Sequence, residues 1–421
     1  MMDDSPHDRD ILRRLAAEQA EIATLPIHQE RAEGWRRIND LEPGRPMVWI
    51  NEIPWHEMNA NDELTLQCED SFCRAHERIL RRRLYQWRHM PADMIVEPVY
   101  YASLVVHDSG LGIAEDVDIA LTDDASDIVS RRFHQQITCE ADLEKIQMPI
   151  VRHDAEASES VRHRLDGLFG DLLPVVMRGA PGFWFAPWDE LIRWWDVEAA
   201  MVDLVDRPEL VHAAMDRLVN AYMARLDQYE EQGLLARNDN ATRIGSGGFG
   251  HTSALPQPDH DPNHLRTQDL WGCATAQIFS DVSPRMHDEF ALQYERRWMD
   301  RFGLTYYGCC EPLDRKVEML SQVPNLRKIS MSPWVDLARA VEAVGEKYVI
   351  SRKPNPAVLA ADTWRPDDVR EDLRRELDMM AGCHAEIIMK DISTVRYQPQ
   401  RLWEWARIAH EAVREAAPDY A

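Results

Sequence analysis

The sequence lacks several features that would place it quickly in a class of protein. Its seven cysteines include no Cys-x-x-Cys pair, so neither a disulfide framework nor a zinc-finger pattern is indicated. No apolar run approaches the roughly 20 residues that cross a bilayer, and the chain does not open with a basic segment followed by an apolar one. We therefore expect a cytoplasmic protein with reduced thiols and no membrane association.

Basic residues are few relative to acidic ones. There are 48 Lys and Arg against 73 Asp and Glu, which gives a formal net charge of −25. A surface of this charge repels nucleic acids and anionic membranes, so neither is expected as a general partner. A polyanionic substrate would also be repelled, unless its site concentrates arginines locally.

Phosphate-binding loops are missing as well. No Gly-x-Gly-x-x-Gly follows a predicted strand, and no Gly-x-x-x-x-Gly-Lys-Ser/Thr occurs anywhere. The last third of the chain instead contains four strand and helix units, with strands predicted over 304–309, 326–331, 347–352 and 385–390. Such units predict parallel strands joined by right-handed crossovers, in either a closed eight-stranded barrel or an open doubly wound sheet. The missing loops remove the nucleotide-binding open sheets and favour the barrel.

The first part of the chain has a different pattern. Residues 9–41 predict two polar helices, and the first strand is predicted over 47–53. We therefore divide the chain into a helical N-terminal extension, 1–44, and one (β/α)8 TIM barrel, 45–421, which is a length that such barrels commonly reach.

Two long helices and one loop are predicted between these regions. Apolar residues at helical spacing predict amphipathic helices over about 62–87 and 208–232. The Gly-rich segment 245–250 begins a long loop, of a kind that often forms a lid or a binding surface. The pattern does not place the strands of 107–205.

Residues with useful chemistry follow the predicted strands. In a parallel barrel, the residues after each strand lie at the carboxyl rim, where such folds carry their active sites. Those residues are Cys309, Cys310 and Glu311, then Arg352, Lys353 and Asn355, then Lys390 and Asp391. Thiols and carboxylates suit a soft metal ion, whereas the basic groups suit an anion or a leaving group.

Each of these groups also has a structural interpretation. Adjacent strand residues face opposite sides, so Cys309 and Cys310 can share a metal ion only if the chain turns between them. Both thiols could instead be small buried apolar groups. The pair Arg352-Lys353 could lie on the surface, and Lys390-Asp391 could form a salt bridge at the rim.

Several of these segments together resemble the uroporphyrinogen decarboxylase superfamily, which includes corrinoid-dependent methyltransferases. The resemblance covers roughly residues 45–412 and rests on short motifs in the family's order. They are Gln268-Asp-Leu-Trp-Gly-Cys-Ala-Thr-Ala-Gln277, Phe279-Ser-Asp-Val-Ser-Pro-Arg-Met-His-Asp-Glu-Phe290, Tyr307-Gly-Cys-Cys-Glu-Pro312, Arg352-Lys-Pro-Asn-Pro356 and Ile387-Ile-Met-Lys-Asp-Ile392. The resemblance implies a (β/α)8 barrel.

The early strand favours one branch of that superfamily. Decarboxylases have an arginine-bearing segment where this chain reads Trp49-Ile-Asn-Glu-Ile-Pro-Trp55, and Glu52 would repel their polycarboxylate substrate. The methyltransferase branch has a His-x-Cys zinc motif with a later Cys. Here Tyr307 or Gly308 stands at the His position, and Lys390-Asp391 occupies the region of the later Cys.

The resemblance therefore implies a methyltransferase that moves a methyl group between a small methylated substrate and a partner corrinoid protein. A zinc ion held by Cys309 or Cys310 with Glu311 is expected to act as a Lewis acid. Lys390, Asp391 and Arg352 are the expected catalytic residues. The expected substrate-binding residues are Glu52, Trp55, Trp271, Lys353 and Asn355.

Two other functions remain open at this point. One is a metal-free lyase that acts on a small carboxylic acid held by Arg352 and Lys353. The other is a non-catalytic protein that binds a corrinoid or a tetrapyrrole. The methyl donor, the direction of transfer and the formation of a homodimer are also open, since one fold hosts many chemistries.

Overall fold

Two helices open the computed structural model, which describes residues 5–120 and 129–420. The side chain of Ser5 accepts a hydrogen bond from the Asp8 N–H at 3.1 Å and caps the first helix. One face of this helix, including Leu12 and Leu15, packs in a buried cluster with Leu80 and Phe169. Both helices lie within the predicted extension, and the first joins the packing of the chain that follows.

From residue 271 onward, each strand of the chain is followed by one or two helices. The helices are α1 (Pro6–Ala23), α2 (Ile27–Asn39), α3 (Ser71–His89), α4 (Ala155–Leu165), α5 (Pro187–Trp195), α6 (Val197–Asp206), α7 (Pro208–Glu231), α8 (Pro284–His287), α9 (Gln293–Met299), α10 (Val317–Leu320), α11 (Leu337–Val344), α12 (Ala357–Ala360), α13 (Pro366–Met379) and α14 (Gln400–Ala416). The strands are β1 (Met47–Ile50), β2 (Tyr100–Ser103), β3 (Val106–Asp108), β4 (Val117–Ala120), β5 (Ser130–Phe133), β6 (Val151–His153), β7 (Val175–Arg178), β8 (Trp271–Ala274), β9 (Leu304–Tyr307), β10 (Leu326–Met331), β11 (Val349–Arg352) and β12 (Ala385–Met389).

A parallel sheet of six strands forms the centre of the molecule. Its order is β1, β12, β11, β10, β9, β8, and each neighbouring pair is parallel. The sheet is buried, with β1, β8, β9, β11 and β12 buried at every residue. The prediction of parallel strands joined by helices in the last third is therefore confirmed.

The sheet does not close into a barrel within the described residues. Strands β2 and β7 pair with each other in parallel, and a single bridge joins Ala180 to Leu235. Beyond that bridge, the Asn238 side chain accepts a hydrogen bond from the Trp271 N–H at 3.0 Å and donates one to the Trp271 carbonyl at 2.9 Å. The side-chain amide thus makes the hydrogen bonds that a neighbouring strand would make at the edge of β8. The predicted closed eight-stranded barrel is not confirmed, and the observed fold is a mixed α/β structure.

The β1 edge is also held by a side chain. The Asp93 carboxylate accepts a hydrogen bond from the Val48 N–H at 2.7 Å, and the Asp93 N–H donates to the Val48 carbonyl at 3.0 Å. The segment between β2 and β7 forms two antiparallel pairs, β3 with β6 and β4 with β5.

The two predicted long helices are present as α3 and α7. Helix α3 begins later than predicted because Asp70 caps it, accepting from the Cys73 N–H at 3.0 Å. Helix α7 ends before Gly233, whose φ of +65° lies in the left-handed region. No helix in the described ranges is long and apolar enough to cross a membrane.

Candidate functional site

The chain turns sharply between strand β9 and the two adjacent cysteines. Gly308 has φ +98°, and a Cβ there would lie 2.5 Å from a methyl carbon of Leu313. After this turn the Cys309 and Cys310 sulfurs lie 3.5 Å apart. Cys309 and Cys310 lie on a bend of the chain, and their side chains therefore meet on one side, as neighbouring cysteines must to serve one site.

Lys390 reaches both sulfurs from the end of strand β12. Its Nζ lies 3.2 Å from the Cys309 sulfur, 3.6 Å from the Cys310 sulfur and 2.8 Å from a carboxylate oxygen of Asp391. The Cys310 thiol also lies 3.3 Å from that Asp391 oxygen. Lys390 is only 2% exposed, so its charge interacts with these groups under little solvent screening. We call these four residues the Cys–Lys cluster.

The pKa values of the two thiols in the cluster shift in opposite directions. The hydrogen bond from Cys310 and the charge of Lys390 outweigh burial and lower the pKa of Cys309. The same hydrogen bond, together with burial, raises the pKa of Cys310. Burial alone would lower the pKa of Lys390, but the surrounding anionic groups, Cys309 and Glu52 first, outweigh it and raise that pKa. The arrangement makes Cys309 the more acidic of the two thiols, beside a charged Lys390.

Glu311 supports the turn that carries the cysteines. It is fully buried, and its two oxygens accept hydrogen bonds from the Cys309 N–H and the Thr275 hydroxyl, both at 2.9 Å. The Ser330 hydroxyl donates to the Cys309 carbonyl at 2.7 Å. These bonds fix the position of Cys309, which is the kind of support that a reactive side chain requires.

The predicted zinc ligands do not fit a metal ion as they are arranged. The Glu311 oxygens are directed to a backbone N–H and a hydroxyl, and the sulfurs are approached by the Lys390 ammonium. Within residues 5–120 and 129–420, no three His, Cys, Asp or Glu side chains form a group that could hold a metal ion. Zinc bound through Cys309, Cys310 and Glu311 stays a prediction.

Glu52 joins the cluster from the end of strand β1. One of its oxygens accepts from the Asp391 N–H at 3.1 Å and lies 3.7 Å from the Lys390 Nζ, and the other accepts from Arg243 at 2.9 Å. A cavity of about 400 Å³ adjoins this point, lined by Glu52, Trp55 and Asp391 among others. Two of the predicted substrate-binding residues, Glu52 and Trp55, thus lie beside the cluster.

The other predicted site residues make contacts of their own. Arg352 donates to Glu376 at 2.9 Å, and Asn355 accepts from the Ala357 N–H at 3.0 Å. Trp271 is buried, and its indole N–H donates to the Gly250 carbonyl at 2.9 Å. Trp271 and Arg243 line a separate cavity of about 200 Å³.

Lys353 belongs to a buried polar network beneath the cluster. Its Nζ donates to the hydroxyls of Tyr306 and Ser351, and burial lowers its pKa to about 7. Ser351 in turn donates to Glu386 at 2.6 Å, and Glu386 pairs with Lys328 at 2.8 Å. Sequence reasoning missed Lys328 and Glu386 because charged residues inside strands carry no signal of their partners.

The Gly-rich loop lies inside the molecule rather than over it. The Ser246 hydroxyl lies 2.9 Å from the Tyr306 hydroxyl and donates to the Gly308 carbonyl at 3.2 Å. A Cβ at Gly247 would lie 2.4 Å from a Glu386 oxygen. The run of glycines in the sequence could have indicated this close approach, because a residue without a side chain lets the backbone lie close to other groups.

Comparison with known proteins adds little to this geometry. No family model matches the chain, and no curated protein matches it. Among solved structures, a methyltransferase from Methanosarcina mazei is similar with a TM-score of 0.49 and 11% sequence identity, over 89% of this chain and 96% of that chain. A similarity at this level decides neither the fold nor the activity of this chain.

Proposed function

We propose that the protein is a methyltransferase that moves a methyl group between a small methylated substrate and the corrinoid of a separate protein. The observation that supports it best is the Lys390 ammonium held 3.2 Å from the Cys309 sulfur, at the carboxyl end of a parallel sheet. Active sites of parallel α/β folds lie at this end. The corrinoid partner comes from the sequence resemblance, and its cobalt centre would carry the methyl group.

The cluster would assist departure of the demethylated product. When the methyl group leaves its heteroatom, the electron pair of the broken bond stays on that heteroatom, which then needs a proton or a cation. Lys390 would donate a hydrogen bond to the heteroatom and stabilise its charge as a fixed cation, and solvent would supply the proton that the product takes up. The anionic groups around Lys390 raise its pKa and keep it charged between turnovers.

The other residues of the site would position the reacting groups. Glu52 and Asp391 bond to each other through the Asp391 N–H and fix the approach to Lys390. Trp55 lines the adjoining cavity of about 400 Å³, which lies at the low end of the size range of small-molecule sites. Arg352 would act indirectly, because its guanidinium is bonded to Glu376.

A corrinoid assay tests the proposal. Purified protein would be incubated with a reduced corrinoid protein and a panel of methyl ethers, amines and thioethers, and methyl-cobalt formation followed by absorbance. We expect turnover with one class of donor and a loss of at least about 100-fold in Lys390→Met, as for removal of a group that stabilises charge in the transition state. Cys383→Ser is the matched control, because Cys383 precedes β12 at the opposite end of that strand from Lys390.

Two results would count against the proposal. Absence of methyl-cobalt across the whole panel would contradict methyl transfer, and tight corrinoid binding without turnover would indicate a binding protein instead. Stoichiometric zinc that is lost in Cys310→Ser would contradict the role given to Lys390 and restore the predicted metal site.

A further inference from the structure

A second cavity lies where the sheet fails to close. It has a volume of about 380 Å³ and is lined by Trp49 of β1, Tyr101 of β2 and Arg178 at the end of β7. Helix α3 contributes Arg82 and Arg83 to its wall. The cavity therefore occupies the space between the β1 edge and the separate β2–β7 pair.

Two of its arginines lack a carboxylate partner. Arg83 donates to the Gln19 amide oxygen at 2.8 Å, and Arg178 donates to the Thr242 hydroxyl at 3.1 Å. Neither is within ion-pair distance of an acidic side chain in the described parts of the chain. Arg88, on the same helix as Arg83, is by contrast paired with Glu18 and Glu63, at 2.7 and 2.8 Å.

The charges of the cavity are out of balance. Arg83 and Arg178 line it with one acid, Glu97, which accepts a hydrogen bond from the Tyr101 hydroxyl at 3.3 Å. Burial raises the pKa of Glu97 and lowers the pKa of both Arg83 and Arg178, so these charges are shielded from water. The Glu97 charge attracts both arginines and balances one of them, so an anionic ligand would offset the remaining positive charge.

Aromatic and aliphatic side chains line much of the remaining wall. Trp49, Trp55 and Phe249 line the cavity, with the Trp49 and Phe249 rings 4.6 Å apart. The Arg178 guanidinium lies 4.7 Å from the centre of the Tyr101 ring, which fixes the plane it presents. Rings and guanidinium groups in one cavity suit a ligand with a planar ring and an acidic end.

We propose that this cavity is a binding site for a small carboxylic acid that carries an aromatic ring. Arg178 and Arg83 would hold the carboxylate, since guanidinium matches carboxylate geometry with paired hydrogen bonds. The ring would pack between Trp49 and Trp55. In a chain of net charge −25, an anionic ligand needs such a local concentration of arginine.

The site is independent of the proposed methyl transfer, although the two cavities share Trp55. Binding would be measured by isothermal titration calorimetry and tryptophan fluorescence on the full chain, with benzoate, benzamide and inorganic phosphate as probes. We expect saturable binding of benzoate, and at least tenfold weaker binding of benzamide, which lacks the charge. Phosphate, which lacks the ring, should also bind at least tenfold more weakly than benzoate.

Variants locate the site. Arg178→Gln and Arg83→Gln should each weaken benzoate binding at least tenfold, whereas Arg88→Gln should bind as the wild type does. Circular dichroism and thermal unfolding of each variant would show that the fold is kept. Cys310→Ser should leave benzoate binding unchanged, which separates this site from the Cys–Lys cluster.

Three results would overturn the proposal. They are equal affinity for benzoate and benzamide, wild-type affinity in both folded arginine variants, and no saturable binding of benzoate. Phosphate binding as tight as benzoate binding would overturn the assignment of an aromatic ligand.

Discussion

The character of the candidate site is set by single residues around one turn. Gly308 lets the chain reverse, Glu311 holds the Cys309 N–H, and Lys390 approaches from a strand three positions away in the sheet. Adjacent cysteines in a strand would face opposite sides, yet here the sulfurs are 3.5 Å apart. The lowered pKa of Cys309 therefore depends on both the Cys310 thiol and the Lys390 ammonium.

Replacing Lys390 should change the reactivity of Cys309. Without the ammonium group the thiolate loses its nearest cation, so in Lys390→Gln the pKa of Cys309 should rise. The measurement is the rate of alkylation by iodoacetamide against pH, resolved by peptide mass spectrometry. Cys139, which is exposed, is the internal standard and should react alike in both proteins. An unchanged Cys309 profile would show that Lys390 does not stabilise the thiolate.

A buried glutamate gives a second prediction at this scale. Glu295 is fully buried and accepts from the Tyr307 hydroxyl at 2.6 Å, and its second oxygen has no partner among the residues that the structure describes. Burial raises its pKa to about 8, whereas in an unfolded chain it is about 4.3. The folded state thus keeps a proton that the unfolded state releases, and stability falls as the pH rises between these two values.

Glu295→Gln should remove that dependence. The variant cannot ionise, so its stability relative to the wild type should improve as the pH rises, by up to about 1.4 kcal/mol per pH unit. Urea unfolding of both proteins at about pH 5 and about pH 8 checks this, with the two pH values bracketing most of the titration. A stability difference that is the same at both pH values would mean that Glu295 is ionised in the folded protein.

At the scale of elements, one carboxylate holds the free edge of strand β1. Asp93 pairs with Arg45 at 2.9 Å and caps the Val48 N–H, and it is fully buried. Asp93→Ala leaves the Arg45 charge without its partner, so the free energy of unfolding should fall by about 3–5 kcal/mol.

Chemical denaturation of Asp93→Ala measures that loss. The control is Asp171→Ala, which removes the exposed pair with Arg13 and should cost less than about 1 kcal/mol. Equal losses in the two variants would show that the β1 edge does not depend on Asp93.

The elements that the sequence predicts well are those with a strong repeat. Helix α7 and strands β9 to β12 follow regular apolar spacing, so their type and order are predictable. Strands β2 to β7 have three or four residues each and are half exposed, and such short runs carry little periodic signal. The contacts of Asn238 and Asp93 at the two open edges of the sheet are made by side chains, which no spacing rule identifies.

The candidate site, like the fold, was predictable only in part. The carboxyl ends of β9 and β12 were predictable as neighbours of one rim, and Cys309, Cys310 and Lys390 do meet there. Arg352 and Lys353 point to opposite sides, to Glu376 and to the Tyr306 hydroxyl, because successive strand residues alternate. A list of rim residues from sequence therefore includes side chains that never share a cavity.

At the scale of the whole molecule, the open edge of the sheet and the arginine-lined cavity are one feature. A closed barrel would place backbone where Trp49, Tyr101 and Arg178 now surround about 380 Å³ of space. Departures from an ideal fold often mark functional positions, because local strain or lost pairing is kept only where something offsets it. The edge between β1 and β2 is thus the place where this chain departs most from the barrel predicted for it.

The buried central sheet and the more exposed strands should differ in local stability. The six-stranded sheet is buried on both faces, whereas most residues of strands β4 and β5 are exposed. Amide exchange requires opening of hydrogen bonds, and elements with few buried contacts open at low free energy. Hydrogen exchange followed by mass spectrometry should therefore show the slowest exchange in β1 and β8 to β12, intermediate exchange in β2 and β7, and the fastest in β4 and β5. Benzoate should slow exchange in β2, β7 and α3 and leave β9 and β10 unchanged, because the proposed cavity lies between β1 and β2. Exchange in β2 and β7 as slow as in β12 would show that these two strands are part of one cooperative barrel in solution, which contradicts an open sheet.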